Sequence, residues 1–265
     1  MIYFDPKKKQ LIYTGASASD IFWDGHWREN ANIRDEIKKN NKTLTSKITK
    51  KYLKPGDGII LEGGCGNGTN VASLVNNGYK CTGIDYAKET VSMLNQYIPE
   101  LDIRLGDVKR IPFNDNYFIG YWSLGLIEHY YEGYEAIALE MSRVIRSGGY
   151  LFLTFPYMSF LRRLKAKFGL YELWQKKTDE GFYQFILNPE IVKSDFKRFK
   201  FKLIKTIPFD GIKGLKAEVP ILKPFLQSLY YYKGANVFIK FVRKVIESAA
   251  SPVAGHDLLL VFKKS

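Results

Sequence analysis

Gly58-Ile59-Ile60-Leu61-Glu62-Gly63-Gly64-Cys65-Gly66-Asn67-Gly68 is the stretch that decides the fold. Its first half, Gly58 to Glu62, reads as a short buried strand entered through the turn chemistry of Lys54-Pro55-Gly56-Asp57. Its second half has glycine at 64, 66 and 68, where the missing Cβ lets the chain turn tightly and approach a ligand closely. Thr69 to Asn77 follows as a helix, and Gly78 closes it as a left-handed cap. A helix N-terminus behind such a loop offers free N–H groups to a carboxylate. Taken alone, the loop is also readable as a structural turn. A dinucleotide loop would run G-x-G-x-x-G. Here the third interval is one residue shorter, which disfavours NAD.

Outward from the loop the chain alternates strand and helix. Tyr79 to Asp85 reads as a strand, Lys88 to Ile98 as a helix, Leu101 to Leu105 and Tyr117 to Ser123 as strands. Tyr134 to Ile145 is helical, with Ile137, Met141, Val144 and Ile145 as its apolar positions, and Ser147-Gly148-Gly149 turns into a strand from Tyr150 to Phe155. This rhythm predicts a parallel sheet with helices on both faces. Further on, Pro189 to Phe199 reads as a helix, and Phe201 to Ile207 and Asp257 to Phe262 as strands. Residues 156–187 and 209–256 break the rhythm and are expected to be insertions forming a cap over the carboxyl edge, where open α/β sheets bind ligands. Residues 1–57 are polar with aromatic islands, and Asn30 to Tyr52 reads as a lysine-rich helix. The expected division is a helical extension over 1–57 and one α/β domain with cap insertions over 58–265.

Two carboxylates follow the loop in order. Asp85 ends the second strand, about 20 residues past the loop, where a carboxylate can accept hydrogen bonds from both ribose hydroxyls. Alone it is also a plausible helix cap. Asp107, in Gly106-Asp107-Val108 after the third strand, is placed to accept from an adenine amino group, although Gly-Asp is also a common turn.

With these blocks in place, residues 58–155 resemble the class I S-adenosylmethionine (SAM)-dependent methyltransferases, in particular the broad small-molecule group that includes the quinone methyltransferases. The resemblance rests on Ile60 to Gly68, Gly83-Ile84-Asp85, Gly106-Asp107-Val108 with Ile111-Pro112-Phe113, Ser123 to His129, and Arg143 to Gly149. It implies a Rossmann-like α/β fold with a seven-stranded sheet, mostly parallel, whose last strand is antiparallel. It also implies that SAM is the cofactor. Glu62 with the loop backbone (Gly63, Gly64, Cys65, Gly66, Asn67, Gly68) would hold its methionine end, Asp85 and Tyr86 the ribose side, and Gly106, Asp107 and Val108 the adenine. Ser123, Leu124 and Gly125 would line the pocket beside the methyl group. One departure is Ile119, where the family often has Asp; that position is usually structural. Weaker matches reach Phe22 to Trp27, Gly181 to Phe185, and Gly211 to Leu215.

In-line methyl transfer needs mainly alignment. A hydroxyl acceptor also needs a base, for which His is suited near neutral pH. The chain has three histidines, His26, His129 and His256. His129, just after the fourth strand, and His26, between aromatics, are the catalytic candidates; each is also readable as packing, and His256 as structural. Trp23, His26, Glu128, Tyr157 and Tyr183 are the candidate substrate residues. The histidines lack metal-ligand spacing, so no metal is expected. Ser123-Leu124-Gly125-Leu126 stands where adenine-amino methyltransferases carry Asn/Asp-Pro-Pro-aromatic, and neither Cys65 nor Cys81 is placed for cytosine C5 chemistry. The expected reaction is methyl transfer to a small-molecule, glycan or lipid-linked acceptor, at oxygen. An RNA methyltransferase and a non-catalytic SAM-binding protein are the alternatives.

Bulk composition fits this picture. The 265 residues are 46% hydrophobic and 15% aromatic, enough for one enlarged α/β domain with a packed core. The net charge of +13 is lopsided: residues 1–155 hold 19 Lys and Arg against 18 Asp and Glu, residues 156–265 hold 21 against 9. That asymmetry is either a Lys-rich composition or the mark of an anionic partner: lipid headgroups of a membrane surface, a phosphorylated or acidic substrate, or, less favoured, nucleic acid. Leu161 to Phe168 and Val237 to Val245 each place apolar residues beside cations, as ordinary surface helices or as helices that lie on a membrane. No signal peptide and no apolar run of about 18 residues is read, and the two cysteines read as reduced thiols. The expected location is the cytoplasm, peripheral at the inner membrane face.

Overall fold

A computed structural model describes residues 1–15, 19–28, 42–175 and 181–265, without the side chains of residues 20, 21, 27 and 28. The chain opens with two strands, β1 (Ile2–Asp5) and β2 (Gln10–Thr14), followed by helices α1 (Asp20–Arg28) and α2 (Leu44–Thr49). The α/β core then runs β3 (Ile59–Gly63), α3 (Thr69–Val75), β4 (Lys80–Asp85), α4 (Lys88–Tyr97), β5 (Asp102–Leu105) and β6 (Phe118–Leu124). A short 3-10 turn at Ile127–His129 leads to α5 (Glu135–Val144) and β7 (Ile145–Pro156). Next come α6 (Phe160–Lys167), β8 (Glu172–Leu173), β9 (Phe182–Ile186), α7 (Pro189–Arg198) and β10 (Phe201–Phe209). The chain ends with α8 (Gly211–Glu218), α9 (Lys223–Tyr231), α10 (Val237–Ala254) and β11 (Asp257–Lys264).

Seven strands form the main sheet in the order β10-β11-β7-β6-β3-β4-β5. β3, β4, β5, β6 and β7 pair in parallel, while β11 runs antiparallel between β7 and β10. This is the Rossmann-like sheet the sequence predicts, with the reversed last strand second from the edge. The central strands are near-continuous apolar runs because helices cover both faces; six of the seven residues of β6 are buried. One core layer packs Leu61, Tyr121 and Leu153 against Ile137, Met141 and Val144 of α5. The other packs Ile60, Trp122 and Phe152 against Val71, Leu74 and Leu94 of α3 and α4. Trp122 is fully buried, stacks on Phe152 at 4.5 Å and donates its indole N–H to Thr49 Oγ1 at 2.9 Å, which ties α2 to the sheet. Ile119, the departure from the family pattern, is buried in this second layer against Gly58 and Gly149.

The N-terminal stretch differs from the expected helical extension. Residues 2–14 are a hairpin, and β2 continues through β9 into a second sheet of order β8-β1-β2-β9. Leu11 and Ile12 are buried there. The strands pair with residues some 170 positions away, so the local polar composition hid them. Of the helix expected over Asn30 to Tyr52, residues 29–41 lie outside the described residues, and the remainder holds only the six-residue α2, capped by Thr43. Residues 156–187 leave the sheet at the carboxyl end of β7, and residues 209–256 leave at the carboxyl end of β10. Both segments therefore start from the same edge as the glycine loop.

Candidate active site

The glycine loop is shaped by its neighbours. Gly64 and Gly66 adopt φ of 73° and 49°, which side-chain-bearing residues rarely reach, and a Cβ on Gly63 would strike the Tyr121 hydroxyl. The amides of Gly64 and Cys65 both donate to the Ile84 carbonyl, at 2.8 and 3.0 Å. Gly66 N–H donates to Asp85 Oδ2 at 2.8 Å, and Thr69 N–H to Asn67 Oδ1. The amides of Gly64, Cys65 and Gly66 are spent on holding the loop to β4, and that of Thr69 on the loop's own Asn67. The loop therefore supplies room and rigidity more than a ring of free donors.

Asp85 is almost fully buried, and Ala87 N–H donates to its Oδ1 at 2.9 Å. Burial raises its carboxyl above the usual range, while the amides of Ala87 and Gly66 oppose the shift. Glu62 lies deeper. Its Oε1 accepts from Asn70 Nδ2 at 3.3 Å, and its Oε2 is buried with no hydrogen-bond partner. Burial pushes this carboxyl up to about 8, with Asp85 adding to the effect and Asn70 opposing it. Thr45 donates to Asn70 Oδ1 at 3.0 Å, fixing the amide so that its NH2 faces Glu62. That relay from α2 has no sequence signature.

A cleft of ≈ 490 Å³ opens in front of these groups, of a size suited to a small organic ligand. Gly64, Asp85, Tyr86 and Asp107 line one side, Leu124, Gly125 and His129 the other, and Trp23 also faces it. Asp107 is exposed and accepts from Lys109 N–H at 2.9 Å; Val108 beside it is buried. Ser123 is fully buried, and its hydroxyl has no partner. The residues present fit SAM. The orphaned Glu62 Oε2 suits an ammonium, the free lone pairs of Asp85 suit ribose hydroxyls, and Asp107 at the cleft wall suits an amino group.

The aromatic N-terminal helix is fastened across this cleft. Asp24 accepts from Thr90 N–H at 2.9 Å and Thr90 Oγ1 at 2.8 Å, pinning α1 to the first turn of α4. Trp23 then meets the edge of His129 at 5.1 Å. His129 Nδ1–H donates to the Tyr183 carbonyl at 2.9 Å, and the Tyr183 ring lies 5.0 Å from the imidazole. With Nδ1 carrying the proton, Nε2 of the neutral ring is the free base. Burial lowers the imidazole's basicity, partly offset by the bond to Tyr183, so the ring is neutral near pH 7.

Other expected site residues sit elsewhere. His26 is exposed, stacks on Phe22 at 6.1 Å and does not line the cleft, because its helix turns Trp23 inward instead. Tyr157 is buried where β7 passes β9, and its carbonyl accepts from Arg162 at 2.8 Å; it too is absent from the cleft wall. Glu128 is buried with Oε1 behind Gly125 and Oε2 unpartnered, under the cleft rather than on it. Its carboxyl is raised well above the usual range by burial. His256 is held in the cap, where Nδ1 accepts from Arg162 at 2.9 Å; burial and that guanidinium push it down to about 2. Sequence reasoning missed Lys109, whose ammonium lies 4.6 Å over the Tyr130 ring, and Phe182. Both reach the cleft from segments brought together only by folding. Among the described residues no group of three His, Cys, Asp or Glu is placed to hold a metal. Cys65 and Cys81 are free and buried.

Residues 61–153 match the family model for a methyltransferase domain. That stretch, which holds the glycine loop and most of the Rossmann-like core, is similar to a methyltransferase domain. A curated protein of Mycolicibacterium smegmatis named "probable S-adenosylmethionine-dependent methyltransferase" is 29% identical over 97 residues, which is 37% of this chain. The matched segment spans 37% of that relative's own length. Among solved structures, the cyclase SpnF is similar with a TM-score of 0.57 at 14% identity, over 95% of this chain and 99% of that one. A chain of the complex between the Haloferax volcanii Trm112 methyltransferase activator and its methyltransferase partner gives the same figures. Geranyl diphosphate C-methyltransferase of Streptomyces coelicolor A3(2) gives a TM-score of 0.52 at 12% identity, over 83% of this chain and 79% of that one. At these identities the structural likeness is one of fold, and it includes a protein named as a cyclase. The chemistry of the methyltransferase domain here has to be argued from its own site.

Proposed function

We propose that this protein transfers the methyl group of SAM to a hydroxyl of a small-molecule, glycan or lipid-linked acceptor. The observation that carries the reading is the placing of His129 in one cleft with Asp85 and Asp107, its Nδ1–H tied to a backbone carbonyl. Bound SAM supplies an activated methyl on a sulfonium. Everything else is positioning and proton transfer by this chain. Glu62 and Asp85 would hold the two ends of the ligand's polar side, Asp107 the base, and Leu124 and Gly125 would border the reacting carbon. His129 Nε2 would take the acceptor proton, and the aromatic wall of Trp23, Tyr130 and Phe182 would orient an acceptor and keep water out. Glu128, whose carboxyl burial raises well above the usual range, would support the acceptor side from beneath Gly125.

Release of S-adenosylhomocysteine is the measurement. Full-length protein with labelled SAM is offered a lipid extract, a glycan extract and total RNA. Label in the lipid or glycan fraction that survives alkali, as a methyl ether does, supports the reading; label released by alkali would mark a methyl ester, and so a carboxylate acceptor in place of the hydroxyl. Label in RNA would replace it with nucleic-acid methylation. SAM binding without product in any extract would make the protein a non-catalytic binder.

A further inference from the structure

The cap carries a second apolar row that the fold does not use. In α10, Ile239 and Ile246 face inward and pack with Ile212 of α8 and Leu226 and Leu229 of α9. The outward face holds Val237, Phe241 and Val245 at four-residue spacing, with Phe238 beside them. Val237 is 79% exposed and Phe238 71%. Ile221, in the 3-10 turn just before α9, and Phe225, in the first turn of α9, are exposed as well. Single exposed apolar residues need no explanation, but a row of large ones on one helix does.

The charges around the row name its occupant. Residues 219–246 contain five cations, Lys223, Lys233, Lys240, Arg243 and Lys244, and no acid. Lys240 and Lys244 flank the apolar row by helical geometry, and both are exposed. Arg243 turns inward, over Tyr230. We propose that the outward face of α9 and α10 seats the protein on an anionic lipid bilayer, with Phe238 and Phe241 entering the acyl boundary and Lys240 and Lys244 at the headgroups. A helix with a phenylalanine face beside a lysine stripe is the form that lies in a membrane interface. A second copy of this chain fits poorly, since the face would meet its own uncompensated cations. A polynucleotide would gain from the cations but not from exposed valine and isoleucine.

The cap leaves the main sheet at the carboxyl end of β10 and re-enters it at the start of β11, the edge that also holds the cleft. The proposal does not depend on the methyl-transfer reading, and its test needs no SAM.

The test is co-sedimentation of full-length protein with vesicles of phosphatidylcholine alone and of phosphatidylcholine mixed with phosphatidylglycerol. Binding to the mixed vesicles, weak binding to the neutral ones, and weakening by salt are expected. The double variants Phe238→Ser with Phe241→Ser, and Lys240→Glu with Lys244→Glu, should each weaken binding by at least about tenfold. Their thermal melting should match the wild type because all four side chains are exposed; if one pair melts early, Val237→Ser with Val245→Ser takes its place. The proposal is overturned if mixed vesicles leave the protein in solution, or if both pairs bind like the wild type. It is also overturned if the phenylalanine pair changes only the sedimentation coefficient of a dimer or the retention of RNA.

Discussion

Two buried polar regions of this molecule are built in opposite ways. Around the carboxyl ends of β3 and β6, four buried atoms have no hydrogen-bond partner: Glu62 Oε2, Tyr121 Oη, Ser123 Oγ and Glu128 Oε2. In the cap, a buried ion pair is complete. Arg162 donates to Glu218 Oε1 at 2.9 Å, to the carbonyls of Tyr157 and His256, and to His256 Nδ1. Glu218 Oε2 accepts from Lys165 at 2.7 Å and Tyr171 at 2.6 Å. Burial alone would raise Glu218, but Arg162, Lys165 and Tyr171 together hold its carboxyl below the usual range. Buried polar groups left unpaired cost stability, so this cluster, behind Gly125 and the glycine loop, is the less settled of the two regions. A cluster with every atom satisfied is structure.

Arg162→Ala would leave Glu218 buried without its main partner and should destabilise the protein by about 3–5 kcal/mol in denaturant melts, with SAM affinity retained under native conditions. A cost below about 1 kcal/mol would show that the cap does not rely on the pair. Glu62→Gln should do the reverse. The folded-state carboxyl sits at about 8 against an ordinary 4.5, so its contribution is intact below pH 4.5 and is lost as pH rises through 8. The amide should stabilise the ligand-free protein at pH 9 by something on the order of 3–5 kcal/mol, leave it unchanged at pH 4, and weaken SAM binding. Equal melting at both pH values would mean that Glu62 already has a counter-charge. Wild-type SAM binding at pH 7 should in turn release a proton, seen as a buffer-dependent heat in calorimetry.

Smaller effects separate the two sides of the cleft. His129→Gln should slow turnover about a hundredfold or more while SAM affinity stays unchanged. Normal turnover would return the imidazole to a packing role against Trp23 and Tyr183. Asp85→Ala should weaken SAM binding by roughly 1.5–3 kcal/mol, since charge-assisted bonds are lost. Part of that loss would come from the Gly66 amide, which the same carboxylate holds. Unchanged affinity would sink the cofactor assignment.

Much of the α/β core could be read along the chain because its signals are local. The strand-loop-helix at Gly58 to Asn77, the carboxylate ending β4 and the apolar spacing of α5 each depend on neighbours a few residues away. The hairpin at 2–14 could not be read so, because β2 finds its partner β9 across most of the chain. The cleft's second wall was hidden for the same reason: Lys109, Tyr130 and Phe182 belong to three segments that share no periodicity. The chain's three histidines were the candidates for a base, and their places in the fold differ: His129 lines the cleft, His26 is exposed, and His256 is held by Arg162 in the cap.

Between residues 58 and 155 the alternation of strands and helices, the glycine loop and the two carboxylates behind it are legible in the sequence alone, since they follow from hydrophobic period and backbone freedom. Only the tertiary structure decided which polar atoms are left waiting and which are satisfied. Hydrogen-bond completion is a property of atoms brought together from distant segments, and so the unpaired Glu62 and the fully paired Glu218 look alike until the chain is folded.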